Sequence, residues 1–379
     1  MKWRAHQHVV ERDQFQDHCS SYKERIAIRE KEFEQATEGK EKENKGRRLS
    51  QLREEYDGFL EAWQQKQELA KLVPHGAITA DAPKPPEAEQ AQIRLLADGS
   101  ARLPERLLTA EDYFMRGNAY YEAGDYPQAL EAYNRALELE PDHPDTLNNR
   151  GLTLDDLQRY EEAIRDYNRI LELGPDDPLV LNNRGVTLGK MRRYKEALQD
   201  FDHALELRPD SPEALNNRGL ALRHLGRYPD SLKDFNRALE LRPDHPDTLN
   251  NRGITLRKLE RYEEALTDYN RALELKPDDP DTLNNRGYAL TRMGRSEEAL
   301  QDINRALELE PEAADLLESR AEAYSMEGEF EKALRDLEAA VNKDSNLREV
   351  ARTDGYESFE ALRKDAQYGP HFRKLVGEE

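Results

Sequence analysis

Cysteine is nearly absent from this sequence: Cys19 is the only one among 379 residues. An internal disulfide is therefore excluded, and so is a metal site built from paired cysteines. No apolar run approaches the roughly 18 residues that a membrane-spanning helix needs, and the first residues lack the apolar stretch of a signal peptide. We therefore expect a cytoplasmic protein that does not cross a membrane.

Hydrophobic residues are also scarce, at 37% of the chain against 36% that are charged. This balance is thin for one large core and favours an elongated helical protein with a narrow apolar seam. The net charge is −21, and residues 110–379 carry −20 of it. Because such a field repels phosphate backbones and anionic lipid, neither nucleic acid nor a membrane is expected as a partner.

Repetition is what the sequence has in abundance. The string "LNNRG" begins at residue 147 and returns every 34 residues, at 181, 215, 249 and 283. With Pro144 as position 1, five nearly identical units align, and looser units from Ala110 and Ala314 flank them, so that seven tandem repeats cover 110–347. In each unit apolar residues recur at helical spacing in two blocks around a short turn, which predicts a helical hairpin.

Small residues recur at two positions of the unit, and they would let the two helices approach closely. Position 8 carries Gly151, Gly185, Gly219, Gly253 and Gly287, and position 20 carries Ala163, Ala197, Ala265 and Ala299. With a large residue at 4, an aromatic at 24, Ala at 27 and Pro at 32, the unit resembles the tetratricopeptide repeat. The resemblance covers about two-thirds of the chain. It implies an all-α, right-handed α-solenoid of seven helix–turn–helix repeats that binds other proteins.

Position 7 departs from the family pattern, which often has leucine there, because every unit of this chain has arginine. An unpaired charge facing the second helix would cost several kcal/mol. Position 23 offers a partner in six units, as in Arg150 with Asp166, whereas the first unit has Ala132 there. We interpret these pairs as internal braces rather than ligand sites.

One face of the first helix is not claimed by packing, and in the resembling family this face lines the concave groove. Its candidate peptide-binding residues are Asn148, Asn182, Asn216, Asn250 and Asn284 at position 5, Asn149, Asn183, Asn217, Asn251 and Asn285 at position 6, and Leu152, Val186, Leu220, Ile254 and Tyr288 at position 9. An amide both donates and accepts, so a ladder of amides could bind a peptide main chain of any sequence, beside apolar contacts. Alternatively, one asparagine per unit only ties neighbouring repeats together.

Basic residues at positions 12 and 13 line one edge of the same face, opposite acidic residues at position 2. The basic residues are Lys190, Arg223, Arg257, Lys258 and Arg292. Together the two edges would orient an extended ligand that carries opposite charges across its width. A solvated surface is the alternative for each of them, and a nucleic-acid-binding row is a further alternative that the net charge disfavours.

The segments outside the repeats predict helices as well. Residues 1–73 read as an N-terminal α-helical hairpin with coiled-coil-like seams, 74–109 as a linker with a short helix, and 348–379 as one or two capping helices. The seam residues are Phe15, Cys19, Tyr22, Ile26 and Phe33, then Leu49, Leu52, Tyr56, Phe59 and Trp63. Two helices bury little, so we expect the hairpin to pack on a second copy, the solenoid or a partner.

No arrangement of residues predicts a catalytic or metal-binding site. His6, His8, His18 and Cys19 fit no zinc spacing, and no phosphate-binding glycine loop is present. We therefore expect no metal, no cofactor, no catalytic residue and no enzymatic activity. A carboxylate clamp of the kind found in some cochaperone members of the family is also disfavoured, because Phe114 stands at position 5 of the first unit and only Asn118 and the position-6 asparagines match.

The sequence thus predicts a protein-interaction scaffold or adaptor that binds a peptide segment of another protein in its groove. The alternative is a subunit that docks through its N-terminal hairpin, with the solenoid as a spacer. The hairpin could also mediate self-association.

Overall fold

The structure is a computed structural model that describes residues 2–35, 40–73, 76, 87–100, 108–353 and 356–378. All regular secondary structure in these residues is helical. The chain divides into two compact units, Met1–Met191 and Arg192–Glu379. Consecutive helix–turn–helix repeats occupy residues 110–191 of the first and most of the second, as an all-α solenoid of seven repeats requires.

The first unit contains the N-terminal helices, the first two repeats and the first helix of the third. Its helices are α1 (Lys2–Glu34), α2 (Lys40–Leu72), α3 (Glu87–Ser100), α4 (Ala110–Glu122), α5 (Tyr126–Leu139), α6 (Pro144–Asp156), α7 (Tyr160–Leu173) and α8 (Pro178–Lys190). Of the predicted linker at 74–109, residues 74–75, 77–86 and 101–107 lie outside the described residues, and helix α3 lies within it.

The second unit contains the remaining repeats and the C-terminal helices. These are α9 (Tyr194–Leu207), α10 (Pro212–His224), α11 (Tyr228–Leu241), α12 (Pro246–Lys258), α13 (Tyr262–Leu275), α14 (Pro280–Arg292), α15 (Ser296–Leu309), α16 (Ala314–Met326), α17 (Phe330–Lys343), α18 (Leu347–Thr353), α19 (Tyr356–Lys364) and α20 (Gly369–Val376). Within each of these two compact units, every repeat helix packs on the helix that follows it in the sequence.

The starts of the first helices follow from the residue before each proline. The side chains of Asp177, Ser211 and Asp279 accept hydrogen bonds from backbone N–H groups of the first turn and so act as N-caps. His143 and His245 do the same through Nδ1, which accepts the Thr146 and Thr248 backbone N–H at 3.3 Å. Histidine is an unusual N-cap, but both residues directly precede the proline at position 1 of a repeat, as Asp177, Ser211 and Asp279 do.

Position 15, in the turn between the two helices, is left-handed in every repeat. Five of these turns illustrate the range: φ is 72° at Gly124, 73° at Gly226 and 75° at Gly294, but also 59° at Gln158 and 58° at Glu260. Glycine adopts this conformation without strain, whereas a residue with a Cβ is strained by roughly 1 kcal/mol. The turn geometry therefore comes from the repeat and not from the residue that occupies it.

The glycines at position 8 are needed for the approach of the two helices. A Cβ built on Gly253 would lie 2.5 Å from the Tyr269 ring, and one on Gly151 would lie 2.7 Å from the Tyr167 ring. Both tyrosines, at position 24, are fully buried. The close contact thus involves the aromatic side chain of position 24 in addition to the small residue at position 20.

The predicted arginine–aspartate braces are confirmed in five repeats. In the fifth repeat of the chain, Nε and Nη2 of Arg252 donate to the two carboxylate oxygens of Asp268 at 2.7 and 2.6 Å. Its Nη1 donates to Oδ1 of Asn236 in the preceding repeat. The same geometry recurs in the pairs Arg150–Asp166, Arg218–Asp234, Arg286–Asp302 and Arg320–Asp336. Each brace therefore joins the two helices of a repeat and reaches the repeat before it.

The first repeat, which lacks the aspartate, compensates with helix α3. Nη2 of Arg116 donates to the backbone carbonyl of Ser100 at 3.2 Å, and its guanidinium lies 5.3 Å from the Tyr113 ring centre. Burial lowers the pKa of Arg116. The exception in the repeat pattern thus marks the place where the N-terminal helices dock.

The N-terminal hairpin packs on the first repeat. Its own seam is aromatic, with Phe15 stacked on Trp63 at 4.5 Å. Ile93 of α3 and Phe114 of α4 belong to the same buried cluster as Phe59 of α2. The seam that motivated the expected self-association is therefore covered within the chain, and self-association itself stays a prediction.

Two polar contacts fix this docking. Nζ of Lys66 lies 2.6 Å from Oδ1 of Asp112, with both side chains about nine-tenths buried. The Tyr120 hydroxyl donates to Oδ1 of Asp98 at 2.7 Å. Because each pair joins an N-terminal helix to α4, the contact is specific as well as apolar.

Three C-terminal helices, rather than the one or two expected, pack on the last repeat. Phe359, Leu362 and Phe372 are fully buried in one cluster with Ala321 and Leu337 of that repeat. The Ser325 hydroxyl donates to the backbone carbonyl of Ser358 at 2.7 Å. These helices cover an apolar surface that would otherwise be left open at the end of a repeat stack.

Candidate peptide-binding site

Asparagines at positions 5 and 6 meet across neighbouring repeats. Nδ2 of Asn183 donates to Oδ1 of Asn148 at 3.0 Å. Further along, Asn285 donates to Asn250 at 3.1 Å, and Asn251 donates to Asn216 at 3.3 Å. Each of these three position-6 amides thus uses one hydrogen to tie its repeat to the one before, in agreement with the alternative interpretation of the ladder.

In the second and third repeats the ladder is closed to solvent. Asn148, Asn149, Asn182 and Asn183 are all buried, with at most 8% of the residue exposed. Leu152, at position 9, belongs to the buried cluster under the N-terminal hairpin, and only Val186 is half-buried. These side chains hold the first unit together, and an external peptide would have no access to the amides.

The side-chain amide of Asn149 donates two hydrogen bonds. Its Nδ2 donates to Oδ1 of Asn118 at 2.9 Å and also to the main-chain carbonyl of Gly76 at 3.3 Å. Its Oδ1 accepts from Asn148. A position-6 asparagine therefore ties two repeats and binds a backbone carbonyl of a non-helical residue at the same time.

The fourth to sixth repeats present the same face in a more open form. Here Asn216, Asn217, Asn250, Asn251, Asn284 and Asn285, together with Leu220, Ile254 and Tyr288, are half-buried. Asn251 and Asn285 each donate one side-chain hydrogen bond to the preceding repeat. Among the described residues, their side-chain amides make no other hydrogen bond. We call this surface of α10, α12 and α14 the asparagine face.

The ladder ends at the seventh repeat, where Ser319 replaces asparagine at position 6. Oδ1 of Asn284, which would accept from that missing amide, is buried and has no hydrogen-bond partner among the described residues. The asparagine face thus finishes with an unsatisfied acceptor.

The predicted edge charges do not form one continuous row. Lys190 is bound to Asp155, whose other carboxylate oxygen accepts from Thr187 at 2.8 Å. Lys258 is exposed, whereas Arg223, Arg257 and Arg292 are half-buried. The Arg257 guanidinium lies over the Tyr288 ring at 4.3 Å from its centre. Burial raises the pKa of Tyr288.

Neither a metal centre nor a membrane span is evident in the described part of the chain. It contains no group of three His, Cys, Asp or Glu side chains arranged around a common metal position. Cys19 is buried, and the His18 ring packs on Tyr22 and Phe59, while the side chains of His6 and His8 lie outside the description. No described helix is both long and apolar enough to cross a bilayer.

Comparison with protein families identifies the repeats. Models of the tetratricopeptide repeat match residues 114–178, 210–278, and 157–216 with 252–322. Together they run without a gap from residue 114 to 322, more than half of the chain. The chain belongs to the tetratricopeptide repeat family. A comparison with curated proteins finds no match.

Solved structures with the tetratricopeptide fold are similar to this one at low sequence identity. A tetratricopeptide repeat protein of Parabacteroides merdae has a TM-score of 0.53 and 22% identity, over 66% of this chain and 98% of that one. The APC/C hetero-tetramer Cut9–Hcn1 gives 0.56 and 18%, over 62% and 46%. The pilF protein of Pseudomonas aeruginosa gives 0.50 and 22%, over 56% and 97%. These likenesses show the tetratricopeptide fold.

Family membership also bears on the carboxylate clamp. Asn118, which matches that pattern, is fully buried, and its Oδ1 accepts from the Tyr133 hydroxyl at 2.7 Å and from Asn149. It is therefore occupied inside this tetratricopeptide protein. Among the predicted groove positions, the asparagines of the asparagine face are the more exposed ones.

Proposed function

We propose that this protein is a non-enzymatic adaptor that binds an extended peptide segment of another protein along the asparagine face. The Asn149 contact with the Gly76 carbonyl carries the proposal, because it is the same side chain, in the same repeat register, bound to a peptide main chain. The second amide hydrogens of Asn251 and Asn285 are placed to do this for a partner. Leu220, Ile254 and Tyr288 then offer apolar contacts to its side chains.

The proposed peptide-binding site includes only part of the residues predicted from the sequence. Of the residues predicted from the sequence, those of repeats two and three act as ties, whereas those of repeats four to six are accessible. The alternative of docking through the N-terminal hairpin has less support, since Phe59 of its seam belongs to the buried cluster that also contains Ile93 of α3 and Phe114 of α4. The fold shared with a hetero-tetrameric APC/C assembly is consistent with an adaptor.

A peptide selection with matched variants tests the proposal. Peptides selected from a random display library on the full chain would be titrated against Asn251→Ala with Asn285→Ala. Each hydrogen bond to the peptide contributes on the order of 1 kcal/mol, so the double variant should bind roughly thirtyfold more weakly.

The control is Asn216→Ala with Asn250→Ala, which removes the acceptors of the same two inter-repeat bonds but leaves the position-6 donors. Thermal melts of both variants separate folding from binding. If the control weakens peptide binding as much as the position-6 variant, the asparagines act only as ties. If neither variant affects binding, the peptide does not bind on this face.

A further inference from the structure

Arg223 and Arg257, at position 12 of the fourth and fifth repeats, lack a carboxylate partner. In the second unit, every arginine at positions 7, 16 and 26 forms a salt bridge with a carboxylate. By contrast, Nη1 of Arg223 and Nε of Arg257 are buried and have no hydrogen-bond partner among the described residues. A buried charged donor without an acceptor is costly, so these two groups call for a specific explanation.

The groups that surround the Arg223 guanidinium are neutral hydroxyls and a second cation. The groups acting on Arg223 are Arg257 and the hydroxyls of Tyr194, Tyr228 and Tyr269, and no carboxylate is among them. Burial, together with the charge of Arg257, lowers the pKa of Arg223. The buried Tyr269 hydroxyl acts on both arginines, but as a neutral group it supplies no counter-charge.

The second repeat shows how the chain satisfies a charge at this position when it has the means. There position 12 is Asp155, and both of its carboxylate oxygens are bonded, to Thr187 and to Lys190 of the next repeat. The fourth and fifth repeats supply no such counterpart for their arginines. The difference points to a partner outside the chain.

Stabilisation of the helix C-termini does not account for the two arginines. A cation in the last turn of a helix is favourable, and α10 and α12 end in Arg223–His224 and Arg257–Lys258. In α12, the exposed Lys258 can serve this purpose in water. Burying a second cation adds a desolvation penalty without improving the interaction with the helix end.

We infer that Arg223 and Arg257 form a subsite for one side-chain carboxylate, from an aspartate or glutamate of the peptide bound on the asparagine face. This inference rests on the proposed function. Position 12 lies on the same helical face as positions 5 and 9, so the subsite continues the line from Leu220 and Ile254. Stacking on Tyr288 fixes the plane of the Arg257 guanidinium and leaves its edge to donate to an anion.

The occupant is an acidic side chain rather than a nucleic acid because of the overall charge. Residues 110–379 carry −20, which repels a chain with one phosphate per nucleotide far more than a peptide with one carboxylate. Since Leu220 and Ile254 lie beside the subsite, the residues around the acidic one should be apolar at alternate positions, as in an extended strand.

The test uses calorimetric titration of the full chain with unlabelled nonapeptides of alternating serine and leucine. One peptide has glutamate at its centre and a second has glutamine, both acetylated and amidated. A third has glutamine and a free C-terminal carboxylate. We expect the glutamate peptide to bind at least tenfold more tightly than either other peptide. Equal affinities for the first two, or no binding of any, would overturn the subsite.

Variants assign the preference to the two arginines. Arg223→Met with Arg257→Met should abolish the preference for glutamate, whereas Lys195→Met with Arg208→Met, which removes two charges from exposed positions, should retain it. Arg257→Met alone should reduce the preference and serves if the double variant does not fold. Equal losses in the control would show a general charge effect and contradict the inference.

Two further outcomes separate this inference from its alternatives. Glutamate and glutamine peptides that bind equally, and lose binding in Asn251→Ala with Asn285→Ala, would leave the adaptor function standing and remove only the subsite. A single-stranded oligonucleotide that binds in an Arg223-dependent manner, or a free C-terminus that matches the glutamate peptide, would assign the subsite to that group and contradict ours.

Discussion

At the scale of single residues, the braces show that a charge inside a repeat is tolerated because its geometry is complete. In five repeats the position-7 arginine bonds an aspartate through two donors, and in four of these an asparagine accepts from the third. Arg218 is the exception, because Asp202 replaces that asparagine and lies 2.8 Å from Nη1. Pairing with Asp234 raises the pKa of Arg218. This difference allows two otherwise identical braces to be compared.

We predict that Asp268→Ala destabilises the protein by on the order of 3 kcal/mol, because it strands the Arg252 guanidinium with only an amide acceptor. Asp234→Ala should cost less, since Arg218 keeps a carboxylate in Asp202. Arg252→Leu together with Asp268→Ala should recover part of the loss. Urea melts of the four proteins measure these differences. Equal losses for the two single changes would show that Asp202 contributes nothing to its brace.

The braces also show how far sequence could lead at this scale. The Arg150–Asp166 pairing was predictable from its constant spacing of 16 residues, because a charge on a packed face needs a counterpart on the facing helix. The replacement of the missing aspartate by the Ser100 carbonyl was not predictable, since it depends on where α3 docks. For the same reason, the sequence could not reveal that Asn148 is buried whereas Asn251, in another copy of the string LNNRG, is half-buried.

At the scale of the helical hairpin, the turn is a fixed geometry that the sequence does not always suit. Every position-15 residue has positive φ, although Gln158, Arg192 and Glu260 have side chains that disfavour it. The pattern of apolar residues predicts where the turn lies, but the backbone conformation follows from the packing of the two helices. The repeats with glycine, such as the one containing Gly226, show the unstrained solution.

Glu260→Gly is therefore predicted to stabilise the protein by about 1 kcal/mol, because it removes the left-handed strain of a residue with a Cβ. The gain is limited because glycine also loses more backbone entropy on folding. Gly226→Ala should produce the opposite shift in the same assay. Thermal melts against Glu260→Ala, which keeps the Cβ and should gain nothing, provide the control. A gain of the same size in Glu260→Ala would mean that the carboxylate, not the backbone, is responsible.

At the scale of the whole molecule, the additions at both chain ends address the exposed apolar surfaces of a repeat stack. The hairpin and α3 cover the first repeat, and α18 to α20 cover the last. The N-terminal addition has a second effect, because the main chain at Gly76 occupies Asn149. The asparagines of the second and third repeats are buried, whereas the asparagine face, the proposed site for a partner, is half-buried.

Helix α3 allows a direct test of the N-terminal cover, since Ile93 is 2% exposed and Leu95 is 66% exposed. Ile93→Ala removes a buried side chain from the cluster shared with α2 and α4, and should destabilise the first unit by about 2–4 kcal/mol. Leu95→Ala removes a similar side chain from water and should change stability by less than about 0.5 kcal/mol. Hydrogen exchange in the full chain, followed at the α4 amides, should show faster opening in Ile93→Ala only. If α4 is protected equally in both variants, the first repeat does not depend on the hairpin, and its apolar face would be available for the self-association that the sequence suggests.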